Sequence, residues 1–277
     1  MQRFRFTLAV VLALLTAPSA HATPIEIDVD TAQSVINVQF CLGTNCDSDT
    51  SPVTGASAIR LDSVSSPTMF QLDDFFFALT ETINIAITGL TATGTNITMD
   101  YATPGIPQPP VGLAGGMFTY LDVPANQTGI INYNATGSTC FLLIVAGYPC
   151  TGSVDLSAQG TQNGDFDGTV TLLPGRVVRL ALETTIITPV NPDAPSLGTI
   201  TISGTIVGQS AVPLRADADL NGTIDGRDVK AFTDVLLNPG AFGWQKQFAT
   251  DMNDDDSFDL TDVVLFVDCL LNGNCAD

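Results

Sequence analysis

Residues 200–206 read ITISGTI, with Ile200, Ile202 and Ile206 on alternate positions and Thr201, Ser203 and Thr205 between them. A period of two marks a strand with one face in a core and the other in water. Outward from it the same pattern recurs. Ile83, Ile85 and Ile87 alternate with Asn84 and Ala86, and Phe166, Val170 and Leu172 alternate with Asp167, Thr169 and Thr171. Pro174-Gly175 separates two such runs and predicts a hairpin turn. Threonine and β-branched residues abound, and no lysine occurs before Lys230. The composition suits strands far better than helices. A mainly β domain is therefore expected over residues 23–210, with about ten or more strands. An antiparallel β-sandwich and a closed antiparallel barrel both bury such a set. The expectation is the sandwich, jelly-roll-like in topology. TPGIPQPPV (Thr103–Val111) and NPDAPS (Asn191–Ser196) predict loops.

Arg3 and Arg5, the apolar run Thr7 to Leu15 and the small-residue site Ala20-His21-Ala22 predict a secretory signal peptide over residues 1–22. The run is too short to span a bilayer. The expectation is a secreted or cell-surface protein without membrane insertion. His21, the only histidine, leaves with that segment. Serine–histidine and cysteine–histidine hydrolysis and histidine-ligated zinc are thereby excluded from the mature chain. What remains carries 29 acids against seven Lys and Arg (nine less Arg3 and Arg5), a charge of −22. That balance argues against nucleic acid and anionic membranes as partners. Cys41 lies near Cys46, Cys140 near Cys150 and Cys269 near Cys275, so three local disulfides are the preferred connectivity.

Residues 211–277 follow a different rule. Asp217, Asp219, Asn221, Gly222, Ile224, Asp225 and Asp228 are echoed by Asp251, Asn253, Asp255, Asp256, Phe258, Asp259 and Asp262. AFTDVLLN after the first run becomes LFVDCLLN after the second, in the same register. Calcium takes roughly six to eight oxygen ligands, and a loop of about twelve residues supplies them from positions 1, 3, 5, 7, 9 and 12. Both copies place a side-chain oxygen at positions 1, 3, 5, 9 and 12, and Thr223 and Ser257 at position 7 offer carbonyls. Two calcium sites are expected. Val229, Phe232, Val235 and Leu236, then Val263, Phe266 and Leu270, recur at helical spacing and predict one short helix after each loop. Ile224 and Phe258, at position 8, should face a shared small core. Four ligand carboxylates per loop repel one another without a cation, so calcium should complete this small fold. Gly222 suits the sharp turn at position 6, whereas Asp256 holds that place in the second loop. With Asp254 adding charge as well, the second site is expected to be the more salt-sensitive and weaker one.

The doubled pattern D-x-[DN]-x-[DN]-G-x-[hydrophobic]-D-x-x-D, each copy followed by one helix and lacking the preceding helix of an EF-hand, resembles a type I dockerin over Asp217–Leu271. The resemblance implies a calcium-stabilised all-α module that docks onto a cohesin partner. In cellulosomes such docking carries glycoside hydrolases and other polysaccharide-active proteins. The implied ligands are Asp217, Asp219, Asn221, Thr223, Asp225 and Asp228, then Asp251, Asn253, Asp255, Ser257, Asp259 and Asp262. Positions 10 and 11, where many type I dockerins carry Ser-Thr, hold Gly226-Arg227 and Leu260-Thr261. The partner is thus expected to be a cohesin-like or other cell-surface protein, with polysaccharide as a second class.

Glycoside hydrolysis would need two carboxylates about 5–9.5 Å apart. Asp73, Asp74, Glu81, Asp165, Asp167 and Glu183 are the candidates by chemistry, and Asp165 and Asp167 would share a strand face. The β body holds no Trp and only Tyr101, Tyr120, Tyr133 and Tyr148, so no catalytic residue is assigned and the body is read as non-catalytic. Three function classes follow: a displayed non-catalytic domain, a polysaccharide-active protein, and a barrel holding an apolar ligand. A carboxylate cleft with aromatic walls would favour the second, and a closed barrel with an apolar interior the third.

Overall fold

The computed structural model describes residues 23–145, 147–189 and 198–275. The signal-peptide reading of residues 1–22, with His21, and the Asn191–Ser196 turn lie outside the described residues.

Among the described residues, twelve antiparallel strands carry the body. They are β1 (Ile25–Val29), β2 (Val35–Leu42), β3 (Asn45–Leu61), β4 (Met69–Leu79), β5 (Ile83–Ile87), β6 (Leu90–Tyr101), β7 (Val111–Gly112), β8 (Met117–Ala135), β9 (Thr151–Asp155), β10 (Gln162–Leu173), β11 (Val177–Pro189) and β12 (Thr199–Ala211). Their hydrogen bonding runs β3, β2, β12, β11, β10, β8, β6, β4, and β4 then returns to β3. The strands β1 and β2 lie end to end in one lane between β3 and β12. The circuit is closed. The antiparallel β character expected from the alternation is present, but the division into two jelly-roll sheets is corrected to one sheet that meets itself. Alternation decides which face of a strand is buried and is silent about its neighbours. Here β3, 17 residues long, and β8, 19 residues long, pair with different strands along their lengths and carry the sheet round. Closure pairs the long strands on both sides and leaves only the short β5, β7 and β9 with a single partner each. It also needs a close approach at Gly55, which has φ 142° and where a Cβ would stand 1.9 Å from the Phe76 carbonyl oxygen.

The predicted alternation is visible in the burial of two of the three runs; along residues 200–205 every residue is half-buried, and of that run only Ile206 is buried. Ile83, Ile85 and Ile87 are buried and Asn84 and Ala86 exposed, while Phe166 and Val170 are buried and Asp167, Thr169 and Thr171 exposed. Leu172, expected inside, is exposed near the end of β10. Pro174-Gly175 does turn the chain, with Leu173 opposite Val177 and both Gly175 and Arg176 at positive φ. One end of the interior is filled by rings: Phe70 stacks on Phe118 (3.8 Å between centroids) and Phe75 meets Phe166 at 5.3 Å. Each such fully buried side chain stabilises by about 1.5–3 kcal/mol. The Thr103–Val111 segment closes this end. The Tyr101 hydroxyl donates to the Ile106 carbonyl and the Tyr120 hydroxyl to the Pro109 carbonyl, each at 2.8 Å. The opposite end carries helix α1 (Gly137–Val145) and a 3-10 turn at Leu156–Gln159.

The three expected disulfides are formed, Cys41–Cys46, Cys140–Cys150 and Cys269–Cys275. They belong with an oxidising, extracellular setting. No described helix is long and apolar enough to cross a membrane.

Beyond β12 the chain forms α2 (Asp228–Leu237), α3 (Trp244–Thr250) and α4 (Leu260–Asn272). The helices α2 and α4 follow the two acidic loops, as their spacing predicts. The helix α3 directly precedes the second loop, which corrects the expectation that neither loop has a helix before it. Its seven residues, WQKQFAT, hold no sustained apolar period; Phe248 joins the barrel core and Trp244 packs against it. Phe232 of α2 and Phe266 of α4 stack at 3.9 Å inside a separate small core with Ala216, Ala218, Met252 and Cys269. Ile224 packs against that core as expected, whereas Phe258 is only half-buried and does not join the residues packed on it.

Candidate metal centre

The two acidic loops have matching internal hydrogen bonds. At position 1, the Asp217 carboxylate accepts from the Asn221 and Gly222 N–H groups, and Asp251 accepts from those of Asp255 and Asp256. At position 5, Asn221 Oδ1 accepts from Thr223 N–H and Asp255 Oδ1 from Ser257 N–H. At position 9, Asp225 accepts from Arg227 N–H and Asp259 from Thr261 N–H. The position-12 carboxylates, Asp228 and Asp262, are fully buried and accept from the N–H of position 9. Asp259 and Asp262 together form the capping box that starts α4. Sequence spacing repeated to this degree reproduces backbone shape, because each short carboxylate closes its own local turn.

In the first loop, carboxylate oxygens of Asp217, Asp219 and Asp228 come within 4.8 Å of one another. Asp225 is half-buried, and Asn221 and Thr223 stand on the exposed rim. Burial pushes the Asp217 carboxyl above the usual range, against the pull of the Gly222 and Asn221 N–H groups, and nearby Asp228 and Asp219 push the same way. Burial likewise raises Asp262, with Asp251 adding to it. Crowded, desolvated carboxylates are the condition that a divalent cation relieves. Among the described residues, the second loop does not gather three carboxylates so closely; its position 3 is the amide Asn253 where the first loop has Asp219, and Asp251 Oδ2 accepts from the Thr23 hydroxyl at 2.7 Å. It offers a different sign of fit. Asn253 Oδ1, the position-3 oxygen, is buried with no hydrogen-bond partner. Oxygen is the only donor element in either set, which suits a hard cation.

The second loop is also seated on the barrel. Arg60 of β3 donates through Nε to Asp73 at 2.6 Å and through its η-nitrogen to Asp256. Arg215 donates to the carbonyls of Phe248 (3.2 Å) and Asp251 and to the Asp254 carboxylate, with its guanidinium 4.3 Å from the Phe248 ring centroid. Thus Asp254 and Asp256, both at positive φ, are not loose charge. Each faces an arginine. Sequence reasoning missed Arg60, Arg215 and Thr23. The scarcity of cations was the available signal, since so few Lys and Arg serve so many acids.

Beside this seat lies an open polar cleft of about 370 Å³, bordered by Glu26, Arg60, Asp73, Asp74, Trp244 and Gln247. Of the carboxylates considered for hydrolysis, only Asp73 and Asp74 meet there. Asp165 and Asp167 are exposed and accept from the Asp122 N–H (3.1 Å) and the Thr119 hydroxyl (2.6 Å), while Glu183 lies across the strands from Asp167. Glu81 is exposed elsewhere. Compared with known proteins, the chain matches no family model and no curated protein sequence.

Proposed function

We propose that residues 211–277 bind two calcium ions and, so ordered, act as a dockerin-like unit that holds the non-catalytic barrel to a cohesin-like or cell-surface protein outside the cell. The observation that carries this reading is the position-by-position match of carboxylate- and amide-to-backbone hydrogen bonds in the two loops. An exposed apolar stripe supports docking. Leu260, Val264, Val267 and Leu271 share one side of α4 and are between 45% and 77% exposed. Spacing of i, i+4, i+7 and i+11 makes a single apolar stripe, which a soluble helix would ordinarily bury. Leu260 is loop position 10, one of the two places that the resemblance assigns to partner recognition.

Calcium titration of the secreted chain by calorimetry tests the first part, and two binding events are expected. Capture of a cohesin-like partner in calcium, lost in chelator and lost in Val264→Asp with calcium binding intact, tests the second. A chain that takes up no calcium at millimolar concentration refutes the proposal.

A second reading draws on the cleft, where Trp244, the chain's only tryptophan, stands with Asp74, Glu26 and Gln247. An indole wall beside carboxylates suits a sugar ring, so this cleft is the place where a polysaccharide would be held. A glycan array probed with the wild type and with Trp244→Ala distinguishes this reading from docking alone.

A further inference from the structure

The barrel interior is unevenly filled. Rings pack the end beneath the proline-rich loop, but the end beneath α1 retains a cavity of about 90 Å³. Two further spaces of about 30 Å³ each adjoin it, and Val38 and Ile97 line all three. Its walls come from β2, β6, β8, β9, β11 and β12, with Leu143 of α1 and Leu156 of the 3-10 turn, and are mostly aliphatic and aromatic. No Asp, Glu, Lys or Arg lines it.

Four polar side chains interrupt the apolar wall, Gln127, Tyr133, Tyr148 and Gln159, and of these only Gln127 is buried. Gln127 of β8 is 6% exposed and lines both the main cavity and one of its neighbours, and its Nε2 has no hydrogen-bond partner. An amide N–H left unpaired in such surroundings costs about 1–3 kcal/mol. Native buried donors are nearly always satisfied, so this one calls for an acceptor brought from outside.

The mouth has its own character. Leu143 of α1 is buried and lines the cavity, while Phe141, Leu142, Ile144 and Val145 on the same helix are between 57% and 71% exposed. A helix that is apolar on its solvent side as well as its inner side is the mark of contact with apolar matter. Cys140–Cys150 anchors that helix beside β9. The cavity, the buried unpartnered Gln127 donor, the absence of Asp, Glu, Lys and Arg from the described lining and the apolar lip select one kind of guest.

We propose that the barrel binds an uncharged aliphatic molecule carrying one acceptor oxygen, with the chain among Val38, Ala92, Ile97, Ile131 and Ile200 and the oxygen accepting from Gln127 Nε2. The α1 lip passes the guest between an apolar phase and the interior. This site is distinct from the calcium loops and stands whether or not the docking proposal holds.

Displacement of the neutral dye N-phenyl-1-naphthylamine from the full secreted chain tests it, with 2-undecanone, undecane and undecanoate as competitors. The ketone should displace the dye at least tenfold more effectively than either undecane or the carboxylate. Gln127→Leu should erase the ketone's advantage over undecane while dye binding persists. Ala92→Phe, which fills the cavity, should abolish dye binding with the circular dichroism spectrum unchanged; Ile131→Phe serves if that variant does not fold. Wild-type dye binding in a folded cavity-filling variant overturns the proposal, as does loss of binding only in Phe141→Ser/Ile144→Ser, which would indicate adsorption to the lip. An unchanged ketone preference in Gln127→Leu overturns the oxygen contact.

Discussion

Asp256 shows how one side chain can answer two demands. As position 6 of a calcium loop it sits at φ 59°, a backbone region that costs a non-glycine residue about 1 kcal/mol or more. It nevertheless bridges to Arg60, 196 residues away. The expectation that it merely weakens the second site omits that bridge. Asp256→Asn should lower stability in calcium by only about 1 kcal/mol, because the carboxylate is a third exposed and its pairing is screened. Arg60→Met strips the guanidinium from both Asp73 and Asp256, and since Asp73 is buried the cost should rise to about 3 kcal/mol. Urea unfolding of the two variants gives that order. Tyr120 provides a pH handle. Burial in the ring cluster pushes its hydroxyl up to about 12, above its unfolded value near 10. A folded pKa raised above the unfolded one gives stability that is complete below about pH 10 and lost as pH climbs toward 12. The melting temperature should therefore fall across that window. Tyr120→Phe should flatten the fall while losing the hydrogen bonds to the Pro109 and Phe70 carbonyls.

Among elements, the strand–strand contact of β3 with β4 decides whether the sheet is open or closed. Gly55→Ala drives a Cβ into the Phe76 carbonyl and should destabilise the barrel by about 3 kcal/mol, read from the shift in denaturation midpoint. The strands themselves were legible: Ile83, Ile85 and Ile87, or Phe166 and Val170, announce a buried face because side chains alternate sides along any extended chain. The helices α2 and α4 were legible for a related reason, since Phe232 and Phe266 stand at equivalent places in a repeated run. The helix α3 was not. Its one deeply buried aromatic, Phe248, finds a reason to be helical only against the barrel floor, and tertiary packing overrides local propensity in such short segments. The stripe on α4 went unread too, because Leu260, Val264, Val267 and Leu271 are indistinguishable in sequence from core positions until the buried face is known.

At the level of the whole molecule, the C-terminal unit is fastened to the barrel at the second loop through Thr23 and Arg60, while Arg215 braces that loop from within the unit. Calcium held there, as proposed, would stabilise more than its own loop. At a concentration about a hundredfold above the dissociation constant each ion adds roughly 2.7 kcal/mol. Calorimetry should then show one cooperative transition in calcium. In chelator the C-terminal transition should separate and move below that of the barrel, and coincident transitions in chelator would count against the coupling. The division between what residues announce and what the fold decides follows the same line. The amino-acid order by itself determined which faces are buried, which cysteines pair and where two twelve-residue acidic loops bend, because alternation, short-range covalent links and carboxylate-to-backbone bonds all act within a few residues. Only the tertiary structure decided that the strands close into a barrel with an apolar hollow, that Gln127 looks into it, and that two arginines clasp the second loop. Those outcomes depend on which distant groups meet when the sheet closes, and no local periodicity carries that information.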